Sequence, residues 1–217
     1  IKAHYAEVFK AKDSVFATRR AVSISVMEQD SLYMHGDTLM VTGKPEHRIL
    51  RAFRNAKFYK TDLSGKCDSI HADQKTGITQ LITNPIIWNG PNQMTGDSIL
   101  LKSDLETEKM DSLKVLNNAF IISLDSISME GYNQAKGKDL FGKFKENQLK
   151  LIDLIKNTEV IYYMYNDDDE LIGIDKTICS AIRISLENND IDELTFITDP
   201  DGDIFPETEL PENSRKL

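Results

Sequence analysis

The acidic run TDPDGDIFPE at 198–207 invites chemistry first, because alternating carboxylates are how proteins hold calcium. Taking Asp199, Asp201 and Asp203 as loop positions 1, 3 and 5 puts Ile204 where a calcium loop requires Gly and Leu210 where it requires a bidentate Glu, so the motif fails. His4, His35, His47 and His71 have no partner at zinc-ligand spacing, and Cys67 and Cys179 stand far apart, outside any CxxC pair, as two buried small side chains. No G-x-S-x-G, Gly-rich phosphate loop or Ser/His/Asp set can be placed. Cleaving a polysaccharide would need two carboxylates at a fixed separation on one face, but the Asp and Glu here fall at strand starts and turns, where solvent receives them. The expectation is a chain that is not an enzyme, with no catalytic residue, metal or cofactor.

Composition narrows the remaining classes. A net charge of −9, from 26 Lys and Arg against 35 Asp and Glu, opposes binding to a phosphate backbone, so nucleic acid is not an expected partner. The one basic cluster, HRILRAFRNAKFYK at 47–60, alternates with apolar residues as on the wet face of a strand. The longest apolar stretch, VIYYMY at 160–165, is far short of a membrane-spanning helix. The chain begins IKAHYAEVFK, with neither Met nor an apolar leader, as an excised piece would.

The elements that must carry any function announce themselves by repetition. HGDTLMVTG (35–43), GKCDSIHAD (65–73) and TGDSILLKS (95–103) echo one another, and the marker Asp recurs as Asp37, Asp68, Asp97, Asp139 and Asp175. Each marker leads a short apolar run, a polar turn, and a second run that often passes through Asn or Ala into aromatics: RAFRNAKFY, QLITNPIIW, LKVLNNAFII, LIDLIKNTEVIYY and ELTFIT. The spacing predicts two-strand units, each opening at its Asp, whose short side chain bonds nearby backbone amides. Residues 106–118 and 146–157 also carry apolar residues at helical spacing, but their place in the repeat assigns them to strands. The alternation of AVSISVMEQ at 21–29 predicts a half-buried strand. Residues 1–20 form a lead-in readable as helix or strand, 21–205 the repeat domain, and 206–217 an acidic, Pro-containing tail or truncated linker.

If the two strands of each unit lean together as a V, their inward rows line a long apolar trough. The lining would include Leu39, Val41, Ile70, Ile99, Leu101, Val115, Ile121, Phe144, Val160, Ile182 and Ile184. A trough with unsealed lips takes acyl chains; a closed one is simply core. The function expected is therefore lipid binding. The alternatives are a scaffold joining partners through its sheet edges around a closed interior, and a carbohydrate-active β-helix.

Five segments together, DSLYMHGDTL, FYKTDLSGKCDSIHAD, NPIIWNGPNQMTGDSI, KNTEVIYYMYNDDDELIGIDKTICS and PDGDIFPE, resemble the OstA-like proteins of Bacteroidetes, relatives of the lipopolysaccharide-transport bridge proteins (the LptA, LptC and LptD amino-terminal domains). The likeness runs from about residue 13 to 211. It implies a mainly β fold, a β-jellyroll of V-stacked antiparallel strands, and carriage of lipopolysaccharide towards the outer membrane. It also implies a periplasmic, outer-membrane-associated location after removal of a signal peptide. Partners would be lipopolysaccharide, through its acyl chains, and other transport jellyrolls or a second copy, through edge-strand pairing. The edges expected are the strands near 21–29 and 193–198.

Overall fold

Alternating apolar and polar residues make strands wherever one face can be buried, and this chain does so almost from end to end. The computed structural model describes residues 1–26, 30–209 and 215–217. Its strands are β1 (Tyr5–Phe9), β2 (Ser14–Val26), β3 (Ser31–Thr42), β4 (Ile49–Lys60), β5 (Leu63–Asp73), β6 (Ile78–Ile82), β7 (Ile86–Asn89), β8 (Asn92–Thr95), β9 (Ser98–Ser103), β10 (Met110–Leu124), β11 (Tyr132–Lys145), β12 (Gln148–Tyr165), β13 (Leu171–Glu187), β14 (Asp190–Ile197) and β15 (Asp201–Phe205). Two short 3-10 turns complete the set, and no α-helix occurs among the described residues. The segments 106–118 and 146–157 are strand where they are regular, in β10 and β12. Residues 27–29 of the predicted strand 21–29, and 210–214 of the predicted tail, lie outside the described residues.

All neighbouring strands pair antiparallel in one sheet that follows chain order except in the middle, where β6 borders β9 and the pair β7–β8 joins β5 to β10 beside them. This overturns the β-helix alternative, which requires parallel coils.

The sheet does not stay flat. Consecutive residues with positive φ interrupt every second long strand: Arg19–Arg20, Arg54–Asn55, Thr83–Asn84, Asn117–Asn118, Lys156–Asn157 and Thr198–Asp199. Register shifts fall at the same places, between Thr18 and Ala21, Phe53 and Ala56, Leu116 and Ala119, and Ile155 and Thr158. Two left-handed residues in succession turn the chain sharply, and Asn tolerates that conformation better than most residues. The corners lie side by side, so the sheet folds along one crease into two leaves. One half of each long strand belongs to the first leaf and the other half to the second.

The marker Asp residues take their meaning from this crease, and the expectation that each opens a strand is corrected. Asp37, Asp68 and Asp139 lie inside β3, β5 and β11, and Asp97 sits at the break between β8 and β9. Asn55 Nδ2 donates to Asp37 Oδ2 at 3.1 Å, Asn118 Nδ2 to Asp97 Oδ1 at 2.9 Å, and the Asn117 backbone N–H to Asp139 Oδ1 at 3.1 Å. The Asp side chain does bond its neighbours, as expected, but at a bend. Asp175 does not belong to the series, because the shift in β13 lies further on, between Cys179 and Ala181.

Residues 5–9 and 14–18 are strands of the first leaf, with the Lys2–Val22 bridge on the second, so the ambiguous lead-in joins the sheet. At the other end β14 borders the first leaf and β15 the second. Of the tail, Leu217 packs on Ile161, Tyr163 and Ile174. Gln134 Nε2 donates to the Arg215 carbonyl at 2.8 Å and Gln134 Oε1 accepts from Leu217 N–H at 3.2 Å.

Candidate lipid-holding interior

The interior is assembled by register. In the first leaf one unbroken row of paired residues runs through Ala17, Leu39, Ala52, Ile70, Leu81, Ile99, Val115, Leu140, Leu154 and Ile182 to Phe196. The next inward row carries Val41, Leu50, Leu101, Leu113, Ile152, Ile184 and Leu194. Facing them, the second leaf runs Met34, Phe58, Gly65, Ile87, Met94, Ile121, Ala135 and Val160. A row holds together because side chains two apart point the same way and every crease shifts the register of both leaves together.

All eleven sequence-predicted lining residues lie on these inward faces. Leu39, Ile70, Ile99, Val115 and Ile182 share the first row, Val41, Leu101 and Ile184 the second, and Ile121 and Val160 the facing leaf, while Phe144 pairs with Leu149 one position nearer the mouth. Nine are buried in one continuous cluster, Phe144 packs against it, and Val41 is half-buried. The leaves meet rather than gape. The cleft between Ile121, Val160, Ile184 and Leu194 has a volume of ≈ 20 Å³, room for one water.

The lips close differently from the crease. Among the described residues the hydrogen bond joining them is Asn92 Nδ2 to the Asn189 carbonyl, at 3.3 Å, from the β7–β8 turn region to the β13–β14 turn. No ladder of backbone bonds seals that side among the described residues.

The mouth of the second leaf is polar, which the sequence reading missed. Asn89, Asn92, Ser123 and Asn133 are successive register partners, and Tyr162 pairs with Asp175 in the continuation of that row. The signal was present: in IIWNGPNQMT, Asn89 and Asn92 alternate in phase with the buried Ile87 and Met94. Burial pushes the Asp175 carboxyl above the usual range, partly offset by the hydroxyl of Thr177, which donates at 2.6 Å. Asp125, at the outer end of the same leaf, shows the reverse balance. Burial pushes it up, but hydrogen bonds from the Ser128 and Tyr165 hydroxyls and the Ser128 amide hold it below the ordinary value.

The two cysteines are free and buried, each at a crease. Burial pushes the Cys67 thiol up to about 11, so it stays protonated and unreactive at neutral pH. The acidic run at 198–207 divides between the last corner and the exposed β15. Among the described residues no three His, Cys, Asp or Glu side chains converge as a metal site.

No protein-family model and no curated protein matches the chain. Among solved structures it is similar to the crystal structure of LptH, the LptA homologous periplasmic component of the conserved lipopolysaccharide transport device from Pseudomonas aeruginosa. The identity is 15% and the TM-score 0.49, over 66% of this chain and 95% of that one.

Proposed function

We propose that this chain is a non-catalytic lipid carrier of the bacterial periplasm that takes the acyl chains of lipopolysaccharide between its two leaves on the way to the outer membrane. The observation that carries the acyl-holding role is a continuous apolar row and a second row interrupted only by Thr79, together facing a third across a side with no backbone ladder. Lipopolysaccharide as the cargo, and the periplasm as the location, come from the sequence resemblance. The β-jellyroll description belongs to the same proposal. Because the cleft admits no more than a water, loading requires the leaves to part along the mouth. Each buried CH₂ contributes about 0.8 kcal/mol, so one twelve-carbon chain supplies on the order of 10 kcal/mol towards that opening.

Photocrosslinkers placed at Ile99, Val115 and Ile184, one residue at a time, test the reading with purified lipopolysaccharide. Adducts at these positions, and none from outward-facing Tyr59, are expected. A folded protein that gives no adduct at any of the three interior positions refutes it.

A second reading, a scaffold joined through its edges, is favoured by the closed packing and by charge. The β1–β2 end exposes Lys2, Lys10, Lys12, Arg19 and Arg20 against Glu7 and Asp13, whereas the β14–β15 end exposes Asp190, Asp192, Glu193, Asp199, Asp201 and Asp203. Opposite charge on the two open edges suits a head-to-tail contact by strand addition, with another jellyroll protein or a second copy. Salt-sensitive self-association in sedimentation, lost in Asp201→Lys/Asp203→Lys, is the expected result. Salt-independent behaviour with unchanged association in that variant removes the self-pairing form of the reading.

A further inference from the structure

The polar row at the mouth is out of character with the rest of the interior. Asn89, Asn92, Ser123, Asn133, Tyr162 and Asp175 occupy inward positions of the second leaf, where the deeper row is almost wholly apolar. Across the mouth the first leaf presents Phe144, Leu149, Leu186 and Ile191. Burying polar groups in a core is unfavourable unless each finds a partner. Asn89 is 2% exposed, and its Nδ2 donates to the Asp62 carbonyl at 2.7 Å, but its Oδ1 is buried with no partner among the described residues. Asn92, Ser123, Asn133 and Tyr162 of this row line the apolar cleft, and Asn89 adjoins it through its register partner Asn92. Amides and hydroxyls lining an apolar cleft, with an unmet buried acceptor next to them, are the arrangement expected where a ligand supplies the missing donors.

The chemistry of the row defines the ligand. It offers amide and hydroxyl groups and one carboxyl and contains no Lys or Arg, so it can accept from hydroxyl and N–H donors but has nothing to neutralise a phosphate. We propose that this row seats the uncharged, hydroxyl- and amide-bearing sugar head of an acylated glycan at the mouth while its chains lie between the leaves, and that it discriminates against a phosphorylated head. The inference rests on the lipid-holding reading above and adds the head-group class to it. Asp175 serves in both directions: its carboxyl accepts from a sugar hydroxyl, and when ionised it repels a phosphate.

Titration calorimetry with dodecyl glucoside and dodecyl phosphate, below their micelle concentrations, tests it, because the two share a chain and differ only at the head. The expected result is at least tenfold tighter binding of the glucoside to the unmodified protein. Ser123→Ala and Asn92→Leu should each weaken glucoside binding about fivefold, the scale of one lost hydrogen bond, and leave phosphate binding unchanged. Equal affinity for the two amphiphiles overturns the head-group inference while leaving the lipid-holding reading intact. Binding of neither overturns both. If a variant fails to fold by circular dichroism, the comparison in the unmodified protein still decides.

Discussion

Gly96 stands where two strands converge on the crease, and adding a single methyl there tests whether the crease is as tight as described. A Cβ at this position would lie 2.3 Å from Val115 Cγ1 and 3.0 Å from the Asn117 carbonyl oxygen. The first contact is more than about 1 Å inside the optimal carbon separation, and the second partner is backbone at a corner, so neither neighbour yields easily. Gly96→Ala should therefore cost about 3 kcal/mol, the upper part of the overpacking range. Val115→Ala removes two methyls from a fully buried side chain, about 1.6 kcal/mol of transfer plus a cavity term, or about 2 kcal/mol in all. If the two sites were independent the double variant would lose about 5 kcal/mol. The geometry instead places the methyl added at position 96 in the space that Val115 Cγ1 vacates, so the double variant should lose about 3 kcal/mol, a coupling of roughly 2 kcal/mol. Urea unfolding of the four proteins, with m-values checked for constancy, measures it. Additivity within about 0.5 kcal/mol would refute the reasoning, because it would mean the two side chains do not compete for one volume.

Asn157, with φ 53° and an exposed side chain, isolates backbone from packing at a corner. Asn157→Val should destabilise by about 1–2 kcal/mol and Asn157→Gly by little, as read from urea midpoints; equal effects would mean the corner is not held left-handed. The two buried carboxyls should respond to pH in opposite directions. Asp125 has a lowered folded-state pKa, so the stability it contributes is present above its unfolded value of 3.8 and is lost as pH falls through the folded one. Asp175 has a raised one, so the native state holds its proton longer, and stability declines as pH rises from 3.8 through the folded pKa. Asp175→Asn should accordingly gain on the unmodified protein towards neutrality, while Asp125→Asn should gain on it only in acid; matching pH profiles for the two variants would contradict the burial and bonding assigned to them.

Local pattern determined a good deal of this protein. Period-two alternation made 21–26, 31–42 and the Asp-led runs strands, and the phase of that alternation put Leu39, Ile99, Val115 and Ile184 on one side of the sheet. The places where the strands break were marked as well, since Arg54–Asn55, Thr83–Asn84, Asn117–Asn118 and Lys156–Asn157 are the Asn-containing interruptions of four of the five second runs. What alternation cannot express is whether a polar pair in a run ends a strand or bends it. That depends on whether the neighbouring strand bends at the same height, and so alternation alone makes Asp37 and Asp139 strand openings, although they lie inside β3 and β11. The same limit hid the mouth. Asn89, Asn92, Ser123 and Asn133 are far apart in sequence and become one row only through the pairing of β7 with β8, β8 with β10 and β10 with β11. Inward direction is a property of one strand, whereas a closed interior, a polar lip and an unmet carbonyl are properties of two leaves brought face to face, and only the tertiary structure decided those.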